Sequence, residues 1–123
     1  MSEGFLTWLN GSVLDISNEL IPSWVRDNYR EQDPERLAKL LNDAGANCVE
    51  CYGEHYAQLM IWRLGNQFYI EYHDGDSIVA RFIILSFAIM MEFQAQWVAP
   101  MAMKIMADDQ YDEWRTLHRA RIS

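Results

Sequence analysis

The chain has 123 residues, 50% apolar and 13% aromatic, with ten Lys and Arg and a formal charge of −8. That length holds one hydrophobic core, so a single domain over residues 1–123 is expected, and the composition is too apolar and aromatic for a disordered polymer. The acidic balance speaks against direct nucleic-acid binding, which neutralises phosphates with Lys and Arg.

Residues 1–32 read as interrupted helix. Phe5, Trp8 and Leu9 make one apolar cluster, and Val13, Leu14, Ile16, Leu20 and Ile21 a second, with Gly11 and Pro22 as breaks. Beyond Pro22, a short helix puts Trp24 and Val25 on its apolar side. The next helix has clear punctuation: Asp33 as N-cap, Pro34 at the first helical position and Gly45 past the end. Leu37, Leu40, Leu41 and Ala44 share its apolar stripe.

Residues 47–52 read as a short strand, 55–64 as a second and 67–73 as a third. Gly65-Asn66 is a two-residue hairpin signal that sets Trp62 opposite Tyr69 and Ile61 opposite Ile70. Side chains alternate along each strand. Leu59, Ile61, Phe68, Ile70 and Tyr72 then form the core face, and Gln58, Met60, Trp62, Tyr69, Glu71 and His73 the opposite one.

Residues 77–85 admit two readings. Their β-branched content suits a fourth strand, whereas Arg81, Ala88, Glu92 and Gln96 fall on one narrow helical stripe, which favours a long buried helix over 77–98. Pro100 then kinks or restarts the helix, and Asp108 or Asp109 caps a last one. Acids at its start and Arg115, Arg119 and Arg121 at its end match the helix dipole. The seven methionines read mainly as core filler. The predicted architecture is α+β: a helical N-terminal segment, a three-stranded (alternatively four-stranded) antiparallel sheet with a central hairpin, a long buried helix and a C-terminal helix.

The N-terminus lacks the basic start and apolar run of a signal peptide. The longest apolar run, 78–91, contains Arg81 and falls short of the ~18–20 residues that a bilayer span needs. Two cysteines make no disulfide framework, so a cytoplasmic protein is expected.

Cys48-Val-Glu-Cys51 has redox-motif spacing, but on a regular strand residues three apart point to opposite faces and cannot close a disulfide; buried structural thiols are expected. Zinc held by Cys48, Cys51, His55 and His73 is opposed by the hairpin register, which sends the two histidines to opposite faces. No metal or cofactor is expected. Glu54, His55, Glu71, His73, Asp74 and Asp76 gather near one end of the hairpin, where acid–base chemistry or a small-molecule pocket would sit. No Walker loop, dinucleotide glycine pattern or nucleophile elbow is present.

Residues 33–62, with an Ala-Gly-Ala turn, a following strand, His55 and a closing Trp62, resemble a helix–strand unit of fucosidase-like TIM-barrel glycoside hydrolases. The resemblance covers about a quarter of the chain. A chain this short cannot close a barrel of ~250 residues, and no catalytic residue carries over.

The face holding Met60, Trp62 and Tyr69 either lies beneath a helix or stands open. Six acids and one base (Arg63) fall between residues 43 and 80. On the open reading, Met60, Trp62, Tyr69, Glu71, His73, Asp74 and Asp76 dock a basic surface of a partner protein. The expected function is then a non-enzymatic acidic binding protein of inhibitor, immunity or adaptor type, its target a nucleic-acid enzyme. The alternatives are a small enzyme or small-molecule-binding domain with a pocket near His55 and His73, and a homo-oligomer that buries the aromatic face against its own copy.

Overall fold

The computed structural model describes residues 4–54, 56–75 and 77–122, with side chains described as far as residue 117. A six-stranded mixed sheet in the order β2-β1-β6-β5-β4-β3 forms its centre.

β1 (Phe5–Leu9) and β2 (Ser12–Asp15) are an antiparallel hairpin. Asn10 and Gly11 between them take φ of 52° and 78°, the left-handed pair of a type I′ turn. The expected N-terminal helical segment is therefore corrected to strand. Phe5 joins one core and Leu6 and Trp8 the other, a period-two division that a helix does not make.

A single helical turn, α1 (Ser23–Arg26), and α2 (Pro34–Asp43) follow. The Asp33 side chain accepts the Glu35 N–H at 3.1 Å, which caps α2 as the sequence predicts. Leu37 and Leu41 are buried, whereas Leu40 and Ala44 are exposed, so the apolar stripe is narrower than expected.

β3 (Asn47–Tyr52), β4 (Ala57–Leu64), β5 (Gln67–Asp74) and β6 (Ser77–Ile84) form an antiparallel meander. The β4–β5 register is the one that Gly65-Asn66 dictates, with Trp62 opposite Tyr69 and Ile61 opposite Ile70. β1 runs parallel to β6, pairing Phe5 with Arg81 and Leu6 with Phe82. The sheet thus has six strands rather than three or four, and it is mixed rather than purely antiparallel. It is also open, and α2 leads into an antiparallel strand pair, which sets residues 33–62 apart from a parallel-barrel unit.

The long helix predicted over 77–98 is also corrected. Residues 77–84 are strand because β6 lies inside the sheet with both faces in use at its far end: Phe82 and Ile84 enter one core and Ile83 the other. A strand covered on both sides loses its polar alternation and imitates a buried helix. α3 (Phe87–Phe93) starts only at Ser86, whose Oγ accepts the Ile89 N–H at 3.5 Å. A π-helical turn (Gln94–Val98) leads into α4 (Ala99–Ile122). Pro100 has no N–H for the Gln96 carbonyl, and the turn ahead of it takes the wider path. Asp108 and Asp109 sit in mid-helix, so they cap nothing and the dipole account of them fails. Met90 is buried, but Met91 and Met103 are exposed, so methionine is only partly core filler.

Each face of the sheet carries a core. On the α2 side, Phe5, Trp62, Tyr69 and Ile83 pack beneath Trp24, Val25, Tyr29, Leu37 and Leu41. On the α4 side, Leu59, Ile61, Phe68, Ile70, Phe82 and Ile84 pack beneath Met90, Phe93, Val98 and Ile105. Among the described residues no helix is long and apolar enough to cross a membrane.

Candidate functional site

The α1–α2 layer covers only the upper half of its face. Below it the sheet forms the floor of a cleft of about 780 Å³. Gln58 and Met60 of β4, Glu71 and His73 of β5, and Ile78 and Arg81 of β6 make that floor. Residues Tyr29 to Gln32, with Pro34 and Leu37, form one wall, and Tyr56 another. Gly75 (φ 68°) closes the β5–β6 turn, where a Cβ would stand 2.7 Å from the Tyr56 ring. Its N–H donates to the Tyr56 carbonyl at 2.8 Å, so glycine lets the tyrosine lie against the turn.

Strand register builds the polar centre. Glu71 and Arg81 are directly opposite on β5 and β6, and Tyr69 and His73 flank Glu71 on the same face. The Glu71 side chain is 2% exposed. Its Oε2 accepts the Tyr69 hydroxyl at 2.6 Å. His73 Nε2 stands 3.0 Å from Oε1, yet its N–H is not aimed along that line.

Burial alone would raise the Glu71 pKa. His73, Tyr69 and Arg81 together outweigh it and hold the carboxyl below its usual value. The Tyr69 phenol is pushed well above its usual value, first by burial and then by the adjoining carboxylate. An ionised acid therefore sits under a neutral phenol.

Arg81 is half-buried, its Cζ 5.8 Å from the Phe5 ring centroid and 5.2 Å from that of Tyr29. Arg30 lies 5.4 Å from the same Tyr29 ring. These aromatic contacts orient the Arg81 guanidinium, and its buried Nε has no hydrogen-bond acceptor among the described residues.

The residues expected to dock a partner separate in the structure. Trp62 and Tyr69 are 3% and 0% exposed, so the open aromatic face is corrected to a face under α1 and α2. Two large aromatics opposite one another form a seat for Trp24, Val25 and Leu41. Met60 packs against that core and reaches the cleft, and Glu71 and His73 form its floor. Asp74 is exposed and lines a second, smaller groove beside α4. The Glu54 N–H donates to Asp109 Oδ2 at 2.9 Å, away from the cleft. His55 and Asp76 lie outside the described residues. Among the described residues, no group of three or more His, Cys, Asp or Glu is placed to hold a metal ion.

Sequence reasoning missed Arg81, Tyr29 and Arg30. Arg81 had only a misleading signal: regular pairing with Asp74 opposite Ser77 would set Ala80 opposite Glu71, and the register shift between Tyr72 and His73 is what brings Arg81 there. Tyr29 and Arg30 had none, because they reach the site through an irregular loop. Comparison of the chain with protein-family models, curated proteins and solved structures finds no match.

Proposed function

We propose that the chain is a small-molecule-binding domain whose cleft takes an organic anion. The observation that carries this reading is the buried Arg81 Nε–H at the cleft floor, which lacks an acceptor among the described residues. A carboxylate or phosphate oxygen supplies one, and Met60, Leu37 and Ile78 offer an apolar wall to the rest of such a ligand. Glu71 already shares its charge with His73, Tyr69 and Arg81, so it positions these groups rather than repelling the ligand outright.

Thermal-shift measurements with aliphatic and aromatic carboxylates, phosphate monoesters and their neutral amide or alcohol analogues test the reading. An acid should raise the melting temperature where its neutral analogue does not, and Arg81→Met, checked for folding by circular dichroism, should lose the response. Equal responses to acid and neutral analogue, or an undiminished response in folded Arg81→Met, contradict it.

A second reading keeps the basic protein partner but moves its seat. Asp74, Asp108, Asp109 and Asp112 surround the groove beside α4, with Tyr56, Tyr72 and Tyr111 among them and, among the described lining residues, Lys104 as the single base. The Tyr72 phenol is raised by burial and then by Asp74 and Asp108, which reflects the local negative field. An inhibitor, immunity or adaptor role would use this groove in a cytoplasmic protein that does not bind nucleic acid directly. Capture of a basic partner that is lost at high salt and in an Asp108→Asn/Asp112→Asn variant would support it; capture indifferent to both would refute it.

A further inference from the structure

We infer that Cys48 and Cys51 form an oxidisable dithiol that closes to an intramolecular disulfide in the folded protein. On a regular strand their spacing would send them to opposite faces. β3 is not regular: its register against β4 runs Cys48–Trp62, Glu50–Ile61 and Cys51–Met60, leaving Val49 without a partner. This β-bulge adds one residue and restores the parity. Both thiols therefore share the face of Trp62 and Met60, while Glu50 and Tyr52 share the opposite one.

Hydrogen bonds on the other face agree. Glu50 Oε1 accepts the Tyr52 hydroxyl at 2.7 Å and the Gln94 Nε2–H at 3.2 Å, which places Glu50 toward the α3–α4 layer. Cys48 and Cys51 are free and exposed. The Cys48 thiol is raised above its ordinary value by burial first and then by the neighbouring Cys51 sulfur, so the two sulfurs feel one another.

The β4 partners of the two cysteines are two residues apart, a rise of about 7 Å, just beyond the usual Cα separation of a disulfide. The residual movement is small, and the strand is free to make it. β3 is the edge of the sheet, and Val49 holds no rung of the ladder. An exposed bridge that needs such a shift is a reducible one.

The oxidant is a low-molecular-weight disulfide. One cysteine thiolate attacks it, forms a mixed disulfide and releases one small thiol. The second cysteine, after losing its proton, attacks the protein sulfur of that mixed disulfide and releases the other. Two protein thiols are oxidised, and one small disulfide is reduced to two thiols.

The test treats the reduced full chain with excess oxidised glutathione in native buffer and reads intact mass and free thiols. The expected product has lost two hydrogens, carries no adduct and shows free thiols falling from two to none. It returns to starting mass with dithiothreitol. Cys48→Ser and Cys51→Ser should each retain one glutathione, since neither has a resolving partner. Stable glutathione adducts on the unmutated chain, closure only after adding urea, or a disulfide-linked dimer would each overturn the inference.

Discussion

The two faces of one sheet use the same strands and the same alternation, yet they do different things. The α4 side is apolar at its centre, and its polar groups, Glu50 with Gln94 and Glu92 with Trp8, are paired by part-buried hydrogen bonds. Phe82, Phe93 and Trp97 interlock there at centroid distances of 4.8–5.1 Å, with Leu59, Ile61, Ile70 and Ile84 filling in around them. The α2 side is divided: its upper half is as dry as the other face, and its lower half holds Glu71, His73 and Arg81 beneath an open cleft. A purely structural face gains little from a buried carboxylate, whose desolvation offsets most of what its partners contribute. Charged groups kept at a cleft floor, with Arg81 Nε and His73 Nε2 both unmatched among the described residues, support the proposal of a binding role for the lower half of the α2 side.

The comparison is broken most severely on the dry side. Phe93→Ala should lower unfolding stability by about 3–5 kcal/mol, because the ring stacks on Trp97 and packs against Phe82 and Trp8. Urea denaturation checks this. An effect below about 1 kcal/mol would mean that the α3–α4 layer is not core.

A smaller effect is expected at the polar floor, and it depends on pH. The folded pKa of Glu71 lies below its unfolded value near 4.5, so its contribution is present above that value and disappears as pH falls through the folded pKa. Glu71→Gln should cost about 1–3 kcal/mol at pH 7. It should also lose less stability than the unmutated chain between neutral and acid pH. Parallel stability–pH curves for the two would remove the ionised carboxylate from the account.

Smaller again is Gly11→Ala. At φ 78° the added Cβ is strained, with an expected loss of about 1 kcal/mol and no change at the cleft. Comparable in size is Asp33→Ala, which removes the cap of α2 and should cost about 0.5–2 kcal/mol in the same denaturation assay.

Legibility followed local chemistry. Gly65-Asn66 and the Asp33-Pro34 cap each act within a few residues, and both the hairpin register and α2 could be read from them. Asn10-Gly11 carried an equally good turn signal, but Phe5, Trp8 and Leu9 around it also fit a helical spacing, and that clustering outweighed the turn. β6 misled because its neighbours, β1 and β5, cover both edges and helices lie over both faces, erasing alternation. The bulge at Val49 is invisible in the sequence, since nothing in Cys-Val-Glu-Cys specifies an extra residue against β4. At the site, Glu71 and His73 could be placed on one face, whereas Arg81 required β6 and the wall from Tyr29 required the loop ahead of α2.

Backbone and methyl chemical-shift mapping of the labelled chain during titration with small carboxylates and phosphate monoesters tests the division between the faces most directly. The account predicts saturable shifts at Tyr29, Met60, His73, Ile78 and Arg81, with Phe93 and Ile105 unmoved. Saturable shifts centred on α4, or none at the cleft with any anion tested, would contradict it.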